Sequence, residues 1–282
     1  MDVASAKPQR RGIAAPGSPL CFWLSASGLP AKLACCSSDR GWECCDRDAG
    51  QLADEVKLDE SQPYTLVSGA TYTGQWKGRS RHGHGVQVWP DGSQYNGQWL
   101  HDKASGEGHV TYTCGDVYSG QWLANEAHGR GTYRQGDGLA YEGQWSNDKT
   151  HGQGVEKLPD GTVFDGVFVQ GVKTGKGRLV NPNGSTFEGQ FFDNKMHGEG
   201  LYKWLDGSSY LGQWKANCKH GAGTWELPDG RKYTGQFIAD KPDGYGSCRW
   251  PDGRLYEGNW KDGKEFGGGT FTSVDCTVTS VS

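Results

Sequence analysis

One spacing constrains this chain more than any local motif. Tyr72-Thr73-Gly74-Gln75-Trp76 recurs, with Phe replacing a ring in some copies, at Tyr95–Trp99, Tyr118–Trp122, Tyr141–Trp145, Phe164–Phe168, Phe187–Phe191, Tyr210–Trp214, Tyr233–Phe237 and Tyr256–Trp260. Every step is 23 residues, without insertion or deletion. A fixed period of this size marks a repeat architecture, in which each unit buries its apolar face only against its neighbours. Glycine columns beginning at Gly69, Gly74, Gly83 and Gly85 are filled in all nine copies. With 46 Gly in 282 residues and 34% hydrophobic content, the chain cannot build a thick aliphatic core. Its twelve Trp and twelve Tyr point instead to flat rings packed on bare glycine backbone.

Each repeat reads as two short extended runs and two turns. Tyr72–Trp76 and Gly85–Trp89 alternate with the period of a strand. Pro90–Ser93 carries turn chemistry, and a longer turn is expected from Lys77 to about Gly83. Short connections make consecutive strands antiparallel neighbours. The expected fold is all-β, an elongated single-layer antiparallel meander of hairpin repeats over residues 63–275. It should hold roughly nineteen strands and run about 85–90 Å at the usual strand spacing. Residues two apart share a face. Tyr72, Gly74, Trp76, Gly85, Gln87 and Trp89 therefore lie on one face, and Thr73, Gln75, Asn96 and Gln98 on the other. Later repeats add rings to the first face at Tyr112, Tyr133, Tyr202, Trp204, Trp225, Trp250 and Phe271. That face forms an aromatic groove, with Tyr118, Trp122, Tyr141, Trp145, Tyr210 and Trp214 as its candidate partner-binding residues.

Residues 1–62 lack the repeat. Pro8, Pro16, Pro19 and Pro30 exclude a long helix there, so a low-order segment is expected. Residues 51–60 could form a short helix that caps the array, and 276–282 reads as a tail. Cys35-Cys36 and Cys44-Cys45 are candidate lipidation sites, with unpaired thiols as the plainer alternative. Vicinal cysteines without CxxC spacing make a poor zinc site. Cys114, Cys218, Cys248 and Cys276 share no column and read as free thiols. A net charge of −4 argues against nucleic acid as the main partner. No apolar run is long enough to span a bilayer.

The His82-Gly-His-Gly85 stretch invites a metal reading, which its column excludes. His82, His128, His151, His197 and His220 recur two strands apart, roughly 9–10 Å, too far to share one ion. The expected role is a turn histidine bonded to neighbouring backbone. No nucleophile, base and orienter stand out from the repeat, so neither an enzyme nor a cofactor is expected. Gly171–Lys176 is one residue short of a phosphate loop.

The pattern Y-x-G-x-W, H-G-x-G and D-G at 23 residues closely resembles the MORN (membrane occupation and recognition nexus) repeat, over residues 64–275. The resemblance implies an antiparallel sheet with a groove, and scaffolding at membranes or the cytoskeleton, including axonemal structures. Phosphatidylinositol phosphate kinases and a lysine methyltransferase carry similar arrays, but no kinase or SET segment follows the array here. The localisation implied is cytoplasmic, at a peripheral membrane or at cytoskeleton or cilium. Two kinds of partner follow. The first is a protein on the aromatic groove, with end-to-end self-association also open. The second is an anionic phospholipid headgroup, held by bases in the longer turns: Arg81, Lys103, Lys149, Lys173, Lys195, Lys219, Lys241 and Lys264. Twelve bases against eight acids in Lys77–His82 and its equivalents make that rim only weakly positive.

Overall fold

A computed structural model describes residues 60–281. The segment 1–59, the capping helix expected near its end and the pairs Cys35-Cys36 and Cys44-Cys45 lie outside the described residues. The described residues form twenty strands and no helix, from β1 (Tyr64–Thr65) to β20 (Val278–Val281). Each strand pairs antiparallel with its neighbours in sequence, so one open sheet meanders through all nine repeats. Val278–Val281 adds a strand where the sequence suggested a tail. It pairs with Gly269–Thr272 of the preceding strand.

The longer turn expected at Lys77–Gly83 is confined to Gly78 and Arg79. β2 (Thr71–Lys77) and β3 (Ser80–Val88) are joined by two residues only. In later repeats both loop residues have positive φ, as at His101 (48°) and Asp102 (65°), or Asn147 (51°) and Asp148 (61°). That is the two-residue hairpin whose twist matches the flanking strands, and Asn and Asp tolerate it best. The loop Asp or Asn also reaches back one repeat. Asp102 N–H donates to the Arg81 carbonyl at 3.1 Å, and Asp102 Oδ1 accepts Arg81 N–H at 2.8 Å. Asn125 does the same for Ala104, Asn194 for Lys173, Asn217 for Met196 and Asp240 for Lys219. At Pro242 there is no N–H to satisfy, and the residue facing it is Gly263, which offers no side-chain acceptor.

The remainder of the Lys77–Gly83 stretch is strand with a bulge. Gly74 pairs with Gly85, yet Trp76 pairs with Arg81, so His82, Gly83 and His84 together oppose Gln75. Gly83 has φ of +65°, which an L side chain seldom adopts. The Gln75 amide fills the gap, its Oε1 accepting His84 N–H at 2.8 Å. Gln98, Gln121 and Gln144 do this in the next repeats. The opposite turn is closed by Asp91, whose Oδ1 accepts Ser93 N–H at 2.9 Å. The H-G-x-G histidine is thus construction, though not as expected. Nδ1 of His82, His128 and His151 is buried with no hydrogen-bond partner.

The paired glycines are required by the rings above them. A Cβ on Gly177 would lie 2.7 Å from Phe164 Cε2 and 2.8 Å from its Cζ, closer than carbon atoms approach. Gly177→Ala should therefore destabilise the sheet by about 1–3 kcal/mol. Urea unfolding followed by near-ultraviolet circular dichroism measures this.

Candidate functional site

The six rings expected to line an open groove are core instead. Tyr118, Trp122, Tyr141, Trp145, Tyr210 and Trp214 are between 0% and 4% exposed. Each Tyr is wedged between the Trp of its own repeat and the ring that follows one repeat later. Tyr118 meets Trp122 at 5.1 Å and Trp145 at 5.2 Å, both edge to face. Tyr210 meets Trp214 at 5.2 Å and Phe237 at 5.0 Å. The Tyr118 hydroxyl donates to the Gln121 carbonyl at 2.8 Å, and Trp145 Nε1–H donates to the Gly131 carbonyl at 3.1 Å. Burial pushes the Tyr72 phenol up to about 12, with the nearby Arg81 charge opposing the rise. It raises Tyr118, Tyr141 and Tyr210 as well.

Reachable aromatic surface lies in the next two columns along the same face. Trp89, Tyr202, Trp204, Trp225 and Trp250 are half-buried and pack on the core from its edge. Tyr202 and Trp204 overlap at 4.4 Å with an interplanar angle of 39°. The sequence does hold a signal for these positions. The column of Tyr202 and Trp225 also contains Gln87, Val110, Glu156 and Cys248, whereas the ladder columns that begin at Tyr72 and Trp76 admit only aromatic rings. Positions freed from the structural pattern are those that one repeat can use differently from the next.

The eight bases do not share a rim. Because the connection is a tight hairpin, they occupy two adjacent strand positions that face opposite ways. Lys103, Lys149, Lys195, Lys241 and Lys264 belong to the outward position, with Lys149 half-buried and the others exposed. Arg81, Lys173 and Lys219 point into the aromatic face, where other repeats place Ala104, Ala127, Thr150, Met196 or Pro242. Arg81 is 3% exposed, pairs with Asp102 at 3.2 Å, donates to Gln87 and covers the Trp99 ring at 4.3 Å. Lys173 pairs with the buried Glu156 at 2.5 Å. Lys219 is 7% exposed and lies over the Trp225 ring at 3.9 Å. These three cannot bind a lipid headgroup as exposed turn residues would.

No three His, Cys, Asp or Glu side chains among the described residues are placed to hold a metal ion. No helix among them is long and apolar enough to cross a membrane. Cys218, Cys248 and Cys276 are free thiols. Cys114 is not, being disulfide-bonded. It sits exposed at a turn position where other repeats have Asp or Asn.

The model of the MORN repeat matches residues 72–94, 95–117, 118–140, 141–163, 164–186, 187–209, 210–230, 233–253 and 256–275. The chain belongs to the MORN-repeat family. The MORN repeat is a non-catalytic module, and this MORN array is a repeat scaffold. Among solved structures, it is similar to the SAS-4 (dCPAP) TCP domain of Drosophila melanogaster, solved with a proline-rich motif of Ana2 (dSTIL). Identity is 15% over 67% of this chain and 98% of that one, with a TM-score of 0.35. The TCP10 domain of Danio rerio CPAP follows at 14% identity, over 72% of this chain and 95% of that chain, with a TM-score of 0.28. Virginiamycin B lyase of Staphylococcus aureus matches at 9% identity, over 79% of this chain and 84% of that one, with a TM-score of 0.15. Scores this low carry nothing about what this MORN protein binds.

The inward charges can be tested as structural groups. Glu156→Gln leaves the Lys173 ammonium without its carboxylate and should cost about 3 kcal/mol. The double change Glu156→Leu with Lys173→Met should recover most of that loss in thermal unfolding. Leu179 and Met196 already occupy those two positions in neighbouring repeats.

Proposed function

We propose that this MORN array is a non-enzymatic scaffold that holds a protein partner on the aromatic face of its sheet, at a membrane or cytoskeletal structure. The observation that carries this reading is the cluster of half-buried rings at Trp204 and Trp225 around Lys219, with Tyr202 packed on Trp204. Trp and Tyr offer large, rigid contact area, the usual character of binding hot spots. The rings are seated on a continuous ladder beneath them, so little side-chain freedom remains to be lost on binding. MORN repeats in general mediate contacts with proteins or lipids.

A lipid-binding reading is weaker. It retains Lys103, Lys149, Lys195, Lys241 and Lys264, one base for each of five repeats. Lys241 is paired with Asp262 at 3.0 Å. Attraction to an anionic leaflet is worth about 1 kcal/mol per uncompensated base near the surface. Five bases strung along one sheet edge supply little without a second anchor.

Proteins that copurify with the chain from cell extract should be lost with Trp204→Leu and Trp225→Leu together. Leu158, Leu179 and Leu227 hold the same columns elsewhere, so this variant should fold. Lys149→Glu, Lys195→Glu and Lys241→Glu together should leave capture intact. Flotation with anionic vesicles at two salt concentrations supplies the contrary result. Salt-sensitive vesicle binding, abolished only by the three lysine changes, would sink the protein-scaffold reading.

A further inference from the structure

Three bases point into the aromatic face, and two of them bring a counter-ion. Arg81 has Asp102. Lys173 has Glu156, which lies seventeen residues before it. The residue seventeen before Lys219 is Tyr202, whose hydroxyl is engaged with Asn181 and Ser185. Asp240, equivalent to Asp102, spends its Oδ1 on the Lys219 backbone N–H at 2.8 Å. No carboxylate among the described residues lies within ion-pair distance of the Lys219 ammonium.

Rings surround that ammonium instead. Its Nζ lies 3.9 Å from the Trp225 centroid, 5.4 Å from Trp204, 5.7 Å from Tyr210 and 5.8 Å from Phe237. Ring faces attract a cation, but they do not replace the hydration that burial removes. Burial accordingly lowers the Lys219 pKa, against the opposing pull of Asp240. A second donor in the same cluster is equally unserved. Trp225 Nε1–H is buried with no acceptor, whereas Trp214 Nε1–H has the Gly200 carbonyl at 3.1 Å. Two donors on one half-open aromatic cluster, both lacking an acceptor within the described chain, mark a place where the acceptor comes from outside.

We infer that Lys219, with the Trp225 indole beneath it, anchors a carboxylate on an acidic peptide segment of the protein partner. This rests on the aromatic face being the partner surface, as proposed above. A peptide side chain fits better than a bilayer headgroup, because Lys219 is 7% exposed and its ammonium lies among rings, where a flat membrane surface cannot follow. The whole chain carries a net charge of −4, so general electrostatics would repel an acidic peptide, and binding requires a specific site.

The test uses the full chain with 15N-labelled tryptophan indoles. Hexaglutamate is the probe, with hexaglutamine, inorganic phosphate and phosphatidylserine-containing vesicles as comparisons. Saturable movement of the Trp225 indole resonance is expected with hexaglutamate and absent with hexaglutamine. Lys219→Met should weaken it about thirtyfold or more, the usual loss when one member of a buried charge pair is removed. Met196 holds the same column one repeat earlier, so the variant should fold and melt no lower than the parent. Equal response to both peptides, or an undiminished response in Lys219→Met, overturns the inference. A Lys219-dependent response to phosphate or vesicles but not to hexaglutamate overturns it too, in favour of a phosphate ligand. Loss of the copurified partner in the Trp204→Leu, Trp225→Leu variant with retention in Lys219→Met removes this inference alone. Retention in both variants removes the scaffold reading beneath it.

Discussion

Everything in this structure depends on an aromatic ring lying flat across two glycines and being struck on both sides by ring edges. The chain of contacts is unbroken from Tyr64 through Trp76, Tyr72, Trp99 and Tyr95 to Trp260 and Tyr256. Adjacent centroids in it lie between 4.9 and 5.5 Å apart, at angles from 78° to 89°. Edge-to-face geometry sets the positive rim of one ring against the negative face of the next. A one-layer sheet has no second layer to cover its apolar side. The ring ladder itself provides that cover, and glycine backbone lets it sit close enough to do so. This explains how a chain of low hydrophobic content buries the ladder tyrosines from Tyr72 to Tyr256.

The ladder couples each repeat mainly to the next, and the hairpin turns repeat that coupling through hydrogen bonds. Each loop Asp or Asn clips onto the backbone of the preceding repeat. Substitutions in such an array act locally, because nearest-neighbour terms dominate. Individual repeats can therefore depart from the pattern at positions outside the ladder without endangering the rest. The aromatic face shows that freedom. The same strand position holds Ala104, Thr150, Lys173, Met196 and Lys219. Charge in it is neutralised at Arg81 and Lys173 and left to the rings at Lys219.

These departures give the face a direction. The first repeats bury it under Tyr and Trp with Ala104 and Ala127 filling the inward position. The sixth and seventh repeats leave Tyr202, Trp204 and Trp225 half-buried, with Trp204 and Trp225 beside an unpaired ammonium. A scaffold of near-identical units would bind the same thing everywhere along its length. Local breaks in the pattern are what allow one stretch to recognise one chemistry.

The sequence by itself determined the period, the antiparallel meander and which residues share a face, because a side-chain period of two and an exact 23-residue repeat leave no alternative register. Only the tertiary structure decided which rings remain reachable. Tyr118 and Trp122 alternate as an open groove would, but Tyr118 is covered by Trp145 of the next repeat and Trp122 packs on Tyr95 of the preceding one, contacts 27 residues apart in sequence that no local pattern records. The tertiary structure also decided where the charges go. Lys77–Gly83 reads as a polar turn, whereas the hairpin closes in two residues and the bulge at His82–His84 restores the alternation. That shift sends Arg81, Lys173 and Lys219 inward and leaves Lys103 and Lys195 outside. A displacement of one position along a strand reverses the face, so the turn length, settled by packing, fixed the fate of every base in the array.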